Sequence, residues 1–387
     1  VADFAPDAVP AEQKRIVALG ARPFHRVVPV TRRVVAPPPA RTGAVRHVLR
    51  YLPVLGTVLG LVLAIWLVAT HDIASVTDAF GRIGIVGLAG IVLMRVVILS
   101  LCGLAWERVL HRLAATAEAG AFLILRFVRD GINVLLPVAS VGGDVVGGRL
   151  LTFWGVPGKL AAASILVDML IQVGTQALFV LIGVALLMQM EGESAASLAA
   201  WALRALGVTA IVLTAFFVFQ RSPLIRGVER RIAELARRFL RDQEEAVPGS
   251  VPADAGVHGA LDTVWAPKRW LLLFQGVVLH LLAWMLGATE IWIALTCMGV
   301  EGVGLAEVII IEALSQAIKS AAFPVPSGLG VQEGGFVLVG GLFGIDPGTA
   351  IALSLAKRVP DVVLGLPSLI LWQTLEARRA TILPPRG

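Results

Sequence analysis

Long apolar runs separated by short polar stretches set the pattern of this chain. Six runs, at 51–70, 83–103, 160–188, 201–219, 270–298 and 349–372, are continuous. Each reaches about the 20 residues that a helix needs to cross a bilayer. Two further stretches, 121–158 and 303–345, are equally apolar but carry Pro and Gly in their middles. At about 40 residues they are too long for one helix, and Pro137 and Pro324 fall where a helix would fail. The pattern predicts an all-α polytopic membrane protein with six full spans and two Gly/Pro-broken re-entrant hairpins. Each hairpin is expected to hold two part-length helices, with Pro137 and Pro324 at turns near mid-bilayer.

The two broken stretches resemble each other. Pro137-Val138-Ala139-Ser140 leads through glycines to Phe153-Trp154-Gly155-Val156-Pro157-Gly158. Pro324-Val325-Pro326-Ser327 leads through glycines to Phe343-Gly344-Ile345-Asp346-Pro347-Gly348. Six residues beyond each Pro-Gly stands a serine, Ser164 or Ser354, near the start of a helix with charges buried in it. Matching interrupted segments in two halves of a membrane protein point to a transport site. Chance likeness between Gly/Pro-rich segments is the competing reading.

Composition supports the membrane assignment. The chain is 57% hydrophobic and 16% charged, with a mean hydropathy of +0.83, which leaves too little polar surface for a soluble globule. Cys102 and Cys297 both lie in apolar runs, and the six histidines are scattered. No disulfide framework, metal site or other cofactor is expected. There is no Gly-Lys-Ser/Thr nucleotide loop and no βαβ context for a dinucleotide fingerprint. Neither an enzymatic activity nor a nucleic-acid partner is expected.

The basic residues then orient the chain. With both hairpins returning to the side they entered from, 24 of the 33 Lys and Arg residues fall on one side, outside the membrane segments. The opposite loops, at 71–82, 189–200 and 299–302, hold only Arg82. Cytoplasmic loops carry the excess of Lys and Arg, so both termini are expected in the cytoplasm; Arg outnumbers Lys 28 to 5, which hints at a GC-rich bacterial genome and so at a bacterial inner membrane. Hairpin 121–158 would then open to the cytoplasm and hairpin 303–345 to the outside, an inverted repeat. The expected domains are a basic tail at 1–50, cytoplasmic and disordered, a membrane domain at 51–375 and a cytoplasmic tail at 376–387. A cytoplasmic loop at 221–269 interrupts the membrane domain. Within it, 222–246 has helical amphipathic spacing that suits either the anionic leaflet or solvent, and 247–266 reads as a flexible linker.

The charges inside apolar segments are the candidate chemistry. Each costs roughly 2.5–3.5 kcal/mol at the bilayer centre, so they must pair or line a polar cavity. Gly142-Gly143-Asp144 follows the first break, and Gly328-Leu329-Gly330 precedes Glu333 after the second. Glycines there let backbone approach a ligand and leave amides free for an anion. Arg126, Arg129, Arg149, Lys319, Lys357 and Arg358 are the candidate headgroup-binding cations. Asp144, Asp168, Glu312, Glu333 and Asp361 are the candidate balancing or proton-carrying groups. Asp144, Arg149, Glu333 and Lys357 or Arg358 are expected around one cavity between the hairpins. Pro137, Gly142, Gly143, Pro324, Pro326, Gly328 and Gly330 are the expected hinge positions. Asp144 and Arg149 sit five apart, about 140° around a regular helix, so their meeting would need a break near Gly147-Gly148.

The Pro-x-x-x-x-Gly-Gly-Asp-x-x-x-x-Arg run from Pro137 to Arg149 resembles the integral-membrane domain of lysylphosphatidylglycerol synthases. So does Pro-x-Pro-x-Gly-x-Gly-x-x-Glu from Pro324 to Glu333. In detail, Phe323 to Gly335 followed by Ser354-Leu355-Ala356-Lys357-Arg358-Val359-Pro360-Asp361 is similar to the stand-alone, hopanoid-biosynthesis-associated branch. The resemblance covers about residues 50–375. It implies a flippase-like lipid translocase whose substrate is a hopanoid or an anionic or aminoacylated phospholipid. It also implies membrane lipid, and hopanoid-biosynthesis proteins, as partners. The synthases carry a soluble aminoacyl-transferase domain after the membrane part. This chain ends about 15 residues past its last apolar run, so transferase activity is not carried over. A non-catalytic scaffold for lipid synthesis is the alternative.

Overall fold

The computed structural model describes residues 73–114, 116–136, 142–190, 193–221, 256–322, 325 and 328–378. Among these, ten α-helices and two short 3-10 turns form, with no strand. The expected apolar run 51–70, the basic tail, the amphipathic segment 222–246, and Pro137, Pro324 and Pro326 lie outside the described residues.

Four of the described helices are long and apolar enough to cross a membrane. They are α1 (Ile73–Leu110), α4 (Gly158–Leu187), α5 (Glu193–Arg221) and α7 (Trp270–Met298). Helix α1 begins ten residues before the expected run, inside what reads as a loop. Its 38 residues would measure ~57 Å as one rod, well beyond the ~30 Å hydrocarbon core. Gly84, at φ 61° and ψ 176°, kinks it instead, in a conformation open to glycine. The last expected span is present as α10 (Pro347–Ala377), 31 residues long. Lys357, Arg358 and Asp361 interrupt its apolar character, so it is a helix of spanning length rather than an apolar one.

The two broken stretches each hold two shorter helices. The first has α2 (Ala119–Leu135) and α3 (Gly142–Leu151), of 17 and 10 residues. Helix α6 (Val257–Val264) precedes α7, and the second broken stretch has α8 (Leu305–Ala321) and α9 (Val331–Gly341), of 17 and 11 residues. At 1.5 Å per residue the longer members measure ~26 Å and the shorter ones ~15–17 Å, so none spans ~30 Å alone. Glycines let α3 lie directly on α2. A Cβ at Gly143 would strike the Arg129 carbonyl oxygen, and one at Gly147 would sit 2.5 Å from Arg129 Cγ.

The expected linker 247–266 is folded from Gly256 onward. Ala260, Leu261 and Val264 of α6 form an i, i+1, i+4 apolar stripe that is buried in the core around α4. That short periodicity outweighs the Pro and Gly content upstream.

The core is split into two apolar layers. One contains Ile91 of α1, Phe179 of α4, Ile291 of α7, Leu314 of α8 and Leu353 of α10. The other contains Trp106 of α1, Leu125 of α2, Leu150 of α3 and Ile171 of α4. Arg95 falls between the layers on α1, and His280 lies between Leu273 of the second layer and Ala288 of the first on α7. The buried charges form a polar layer that runs into both: Arg129 and Asp168 lie among second-layer residues of α2 and α4, and Glu290 and Glu312 among first-layer residues of α7 and α8.

Candidate functional site

The polar layer is built from three ionic groups. The first joins α2, α3, α4 and α7 around Arg129, which is 1% exposed. Its guanidinium donates through Nε and Nη2 to Asp144 Oδ1 and through Nη1 to Asp168 Oδ2 at 2.8 Å. It also lies 4.6 Å from the centre of the Trp106 ring, a cation–π distance. Asn133 Nδ2 donates to Asp144 Oδ2 at 3.1 Å, while its Oδ1 accepts from the Gly143 amide at 2.8 Å. Asp168, fully buried, meets His280 Nε2 at 3.1 Å and Arg126 Nη1 at 3.9 Å. Arg126 Nη1 also donates to Gln172 Oε1 at 3.1 Å. Arg126 Nε is buried without a hydrogen-bond partner among the described residues, and the buried His280 ring also meets the Cys102 thiol.

The second group joins α1, α7, α8 and α10. Arg95 grips Glu290 with two parallel bonds, both 2.8 Å, the fork geometry that suits a carboxylate. Its remaining Nη1 lies 3.4 Å from Asp361. Lys357 Nζ bridges Glu290 at 3.0 Å and Glu312 at 2.9 Å, and donates to the Gly287 carbonyl at 3.1 Å. Glu312 also accepts from Gln316 at 3.0 Å.

The third group surrounds the start of α9. Arg358 donates to Glu333 at 2.7 and 3.3 Å and to the Gly328 carbonyl at 3.3 Å. Ser354 Oγ donates to Glu333 at 3.4 Å and accepts from Gln332 at 3.2 Å. Gly328 and Gly330 both take positive φ, 59° and 73°, and a Cβ at Gly328 would lie 2.8 Å from Lys319 Cγ. Glycine lets the Lys319 stem cross this turn.

Two charged side chains stand apart from these pairs. Asp130 and Lys319 are half-buried, and neither has a side-chain hydrogen bond or ion pair with another described residue. Asp130 lies in electrostatic range of Arg126, Arg95, Asp361 and Lys319. Lys319 lies in range of Asp361, Arg358, Arg95 and Lys357.

The geometry redraws the expected cavity. Asp144 and Glu333 are buried in separate groups, each neutralised by an arginine, and Lys357 is buried between two glutamates. Arg149 is set apart from all of them. Its side chain is 58% exposed and bonds Glu376 at 3.0 and 3.1 Å. Helix α3 stays regular through Gly147-Gly148, so the 140° offset from Asp144 is kept and Arg149 faces outward. Gly142 and Gly143 begin α3. Arg95, Asp130, Glu290 and His280 belong to the polar layer, yet only burial of charge in an apolar run signals them, since none lies in a motif.

No curated protein and no solved structure matches the chain. A family model described as the lysylphosphatidylglycerol synthase TM region matches residues 54–367. That range takes in both helix pairs and all three ionic groups, so this multi-pass membrane protein belongs to the lysylphosphatidylglycerol synthase transmembrane-region family.

Proposed function

We propose that this protein is a lipid translocase that moves an amphipathic lipid between the leaflets of the bacterial inner membrane. The observation that carries this reading is the set of three ionic groups buried among the two apolar cores, together with two pairs of helices too short to span. Such groups give a headgroup a polar path, while the acyl chains stay in lipid. In this reading α2–α3 and α8–α9 are re-entrant hairpins related by inversion, one open to each side, and both termini are cytoplasmic. The chain moves lipid and does not transform it. Hopanoids and anionic or aminoacylated phospholipids are the candidate substrates, and hopanoid-biosynthesis proteins the candidate partners.

A second reading is a non-catalytic scaffold for lipid synthesis. It is favoured by the saturation of most buried charges by one another, as structural ion pairs would be. Purified protein in vesicles with a fluorescent headgroup-labelled lipid separates the two. As a translocase it exposes inner-leaflet label to an impermeant reductant added outside. Label loss no greater than in protein-free vesicles, across these lipid classes, sinks the translocase reading and leaves the scaffold.

A further inference from the structure

Helix α5 is the least covered of the four apolar helices of spanning length. One side of it meets the rest of the molecule. Ala199 and Ala202 enter the first apolar layer, and Leu206 packs against it. Gln220, about five turns beyond Ala202 on the same side, donates to the Leu166 carbonyl of α4 at 3.1 Å. The opposite side carries Val208, Ile211 and Val218, all exposed. In a bilayer that side faces acyl chains.

Arg204 stands in the middle of this exposed side. It is two residues from both Ala202 and Leu206, about 200° of helical turn from each. Its side chain is exposed and has no hydrogen bond or ion pair with a described residue. No other charged residue lies between Ala196 and Gln220. The nearest acid along the helix, Glu193, is ~16 Å away by the helical rise. The apolar run 51–70, outside the described residues, contains no Asp or Glu.

A charge left in hydrocarbon is costly, so it must reach water, a headgroup or a protein partner. The apolar part of α5, Ala196–Arg221, has 26 residues and measures ~39 Å. Centred on a ~30 Å hydrocarbon core, it overshoots each face by ~4–5 Å. Arg204 is ~12 Å along the helix from Ala196, so its Cα lies ~7–8 Å below the nearer face. Helical side chains lean toward the N-terminus of their helix, which here is that nearer face. An extended arginine side chain covers this depth and brings its guanidinium to the level of the lipid phosphates. Trp201, one turn nearer the surface and 40% exposed, is of the aromatic type that settles at that level. Val208 and Ile211 continue the same side toward the bilayer centre.

A guanidinium is a planar fork that holds a phosphate with two parallel hydrogen bonds. A phosphate-free lipid offers it no anion. An arginine at phosphate depth above exposed aliphatic side chains therefore fits one lipid class, with phosphate at the cation and chains along Val208 and Ile211. We propose that Arg204 binds the phosphate of a glycerophospholipid in the leaflet at the N-terminal end of α5. With both termini cytoplasmic, that is the outer leaflet. The site faces away from the core that holds the three ionic groups, and it does not rest on the translocase reading.

Native mass spectrometry of the purified protein in detergent counts the lipids that stay bound. With phosphatidylglycerol added, the native protein is expected to retain one molecule more than Arg204→Gln. With a diacylglycerol glycolipid, which has no phosphate, the two are expected to retain the same number. Arg204→Lys is expected to fall between them, because an ammonium keeps the charge without the fork. Arg82→Gln removes another exposed arginine, one paired with Asp78 at 3.6 Å, and is expected to match the native protein. Arg204 packs against nothing, so the unfolding midpoint of Arg204→Gln is expected to stay at the native value.

Equal phosphatidylglycerol retention by native protein and Arg204→Gln overturns the proposal. An equal loss in Arg82→Gln overturns it too, because the response would then be to net charge. Loss of the glycolipid along with phosphatidylglycerol overturns it as well, because the groove would then hold chains and not a phosphate. The same spectra report oligomeric state. A native dimer that Arg204→Gln converts to monomer, with lipid retention per chain unchanged, overturns the proposal and assigns this side of α5 to a second copy.

Discussion

Arg129 sets the energetic scale of single residues here. It holds two carboxylates from two other helices while buried at 1% exposure. Removing one partner of a buried ionic set leaves uncompensated charge and costs ~3–5 kcal/mol. Arg129→Ala is therefore expected to lower the thermal unfolding midpoint of the purified protein sharply. Arg129→Lys is expected to recover only part of the loss, because an ammonium is a point charge without the planar fork that reaches both acids. Equal midpoints for wild type and Arg129→Ala would contradict the burial argument. Arg149 is the contrast. Its pair with Glu376 is exposed, and exposed pairs contribute ~0–1 kcal/mol. Arg149→Ala is expected to unfold within a few degrees of wild type and to move lipid at the wild-type rate. Loss of lipid movement in that variant would return Arg149 to the site.

At the scale of elements, glycine contacts and caps decide whether the short helices hold. Gly143→Ala places a Cβ against the Arg129 carbonyl oxygen, which is backbone and cannot swing away. Gly120, at the start of α2, has nothing within 4 Å of an added Cβ. Gly143→Ala is expected to reduce folded yield by size-exclusion chromatography in detergent, and Gly120→Ala to leave it unchanged. The reverse order would mean that α2 and α3 do not meet as described. Asp346 caps α10 by accepting from the Thr349 amide at 3.0 Å. Asp346→Ala is expected to cost about 1 kcal/mol, read as a modest fall in unfolding midpoint.

These elements also mark how far the sequence could be read. The helical class and the breaks near Pro137 and Pro324 follow from local chemistry, because Pro and Gly act on the residues beside them. The ten extra residues of α1 did not follow, since Ile73–Arg82 is too polar to read as a span, and its helix rests on tertiary packing, Val76 against Ile351 and Ala79 in the core. Helix α6 was hidden for the opposite reason, a three-residue apolar stripe on an eight-residue helix beside a Pro/Gly-rich stretch. For the site, the sequence shows that charges are buried but not which ones meet. Arg95 and Glu290 are 195 positions apart, and no spacing rule reaches that far. The outward turn of Arg149 was readable in principle from the 140° offset, yet the motif placed it inside.

At the scale of the whole molecule, the distribution of basic residues makes the last prediction. Excess Lys and Arg mark the cytoplasmic side, and 24 of 33 fall on one side of the expected layout against Arg82 on the other. Helix α7 offers the cleanest test, because its 29 residues measure ~44 Å and its two ends must lie on opposite sides if it spans. Its start follows Lys268 and Arg269, and its end leads through Gly299 to Glu301. In a background with Cys102 and Cys297 replaced, Ser250→Cys reports the side before α7 and Glu301→Cys the side after it. An impermeant thiol reagent added to intact cells is expected to label Glu301→Cys and spare Ser250→Cys, and inside-out vesicles are expected to reverse the pattern. Labelling of Ser250→Cys from outside would invert the molecule, and labelling of both from one side would mean that α7 does not cross. The second result would also remove the inverted relation between the α2–α3 and α8–α9 pairs, because that relation depends on α7 carrying the chain to the far side before α8 begins, whereas inversion of the whole molecule would leave it standing.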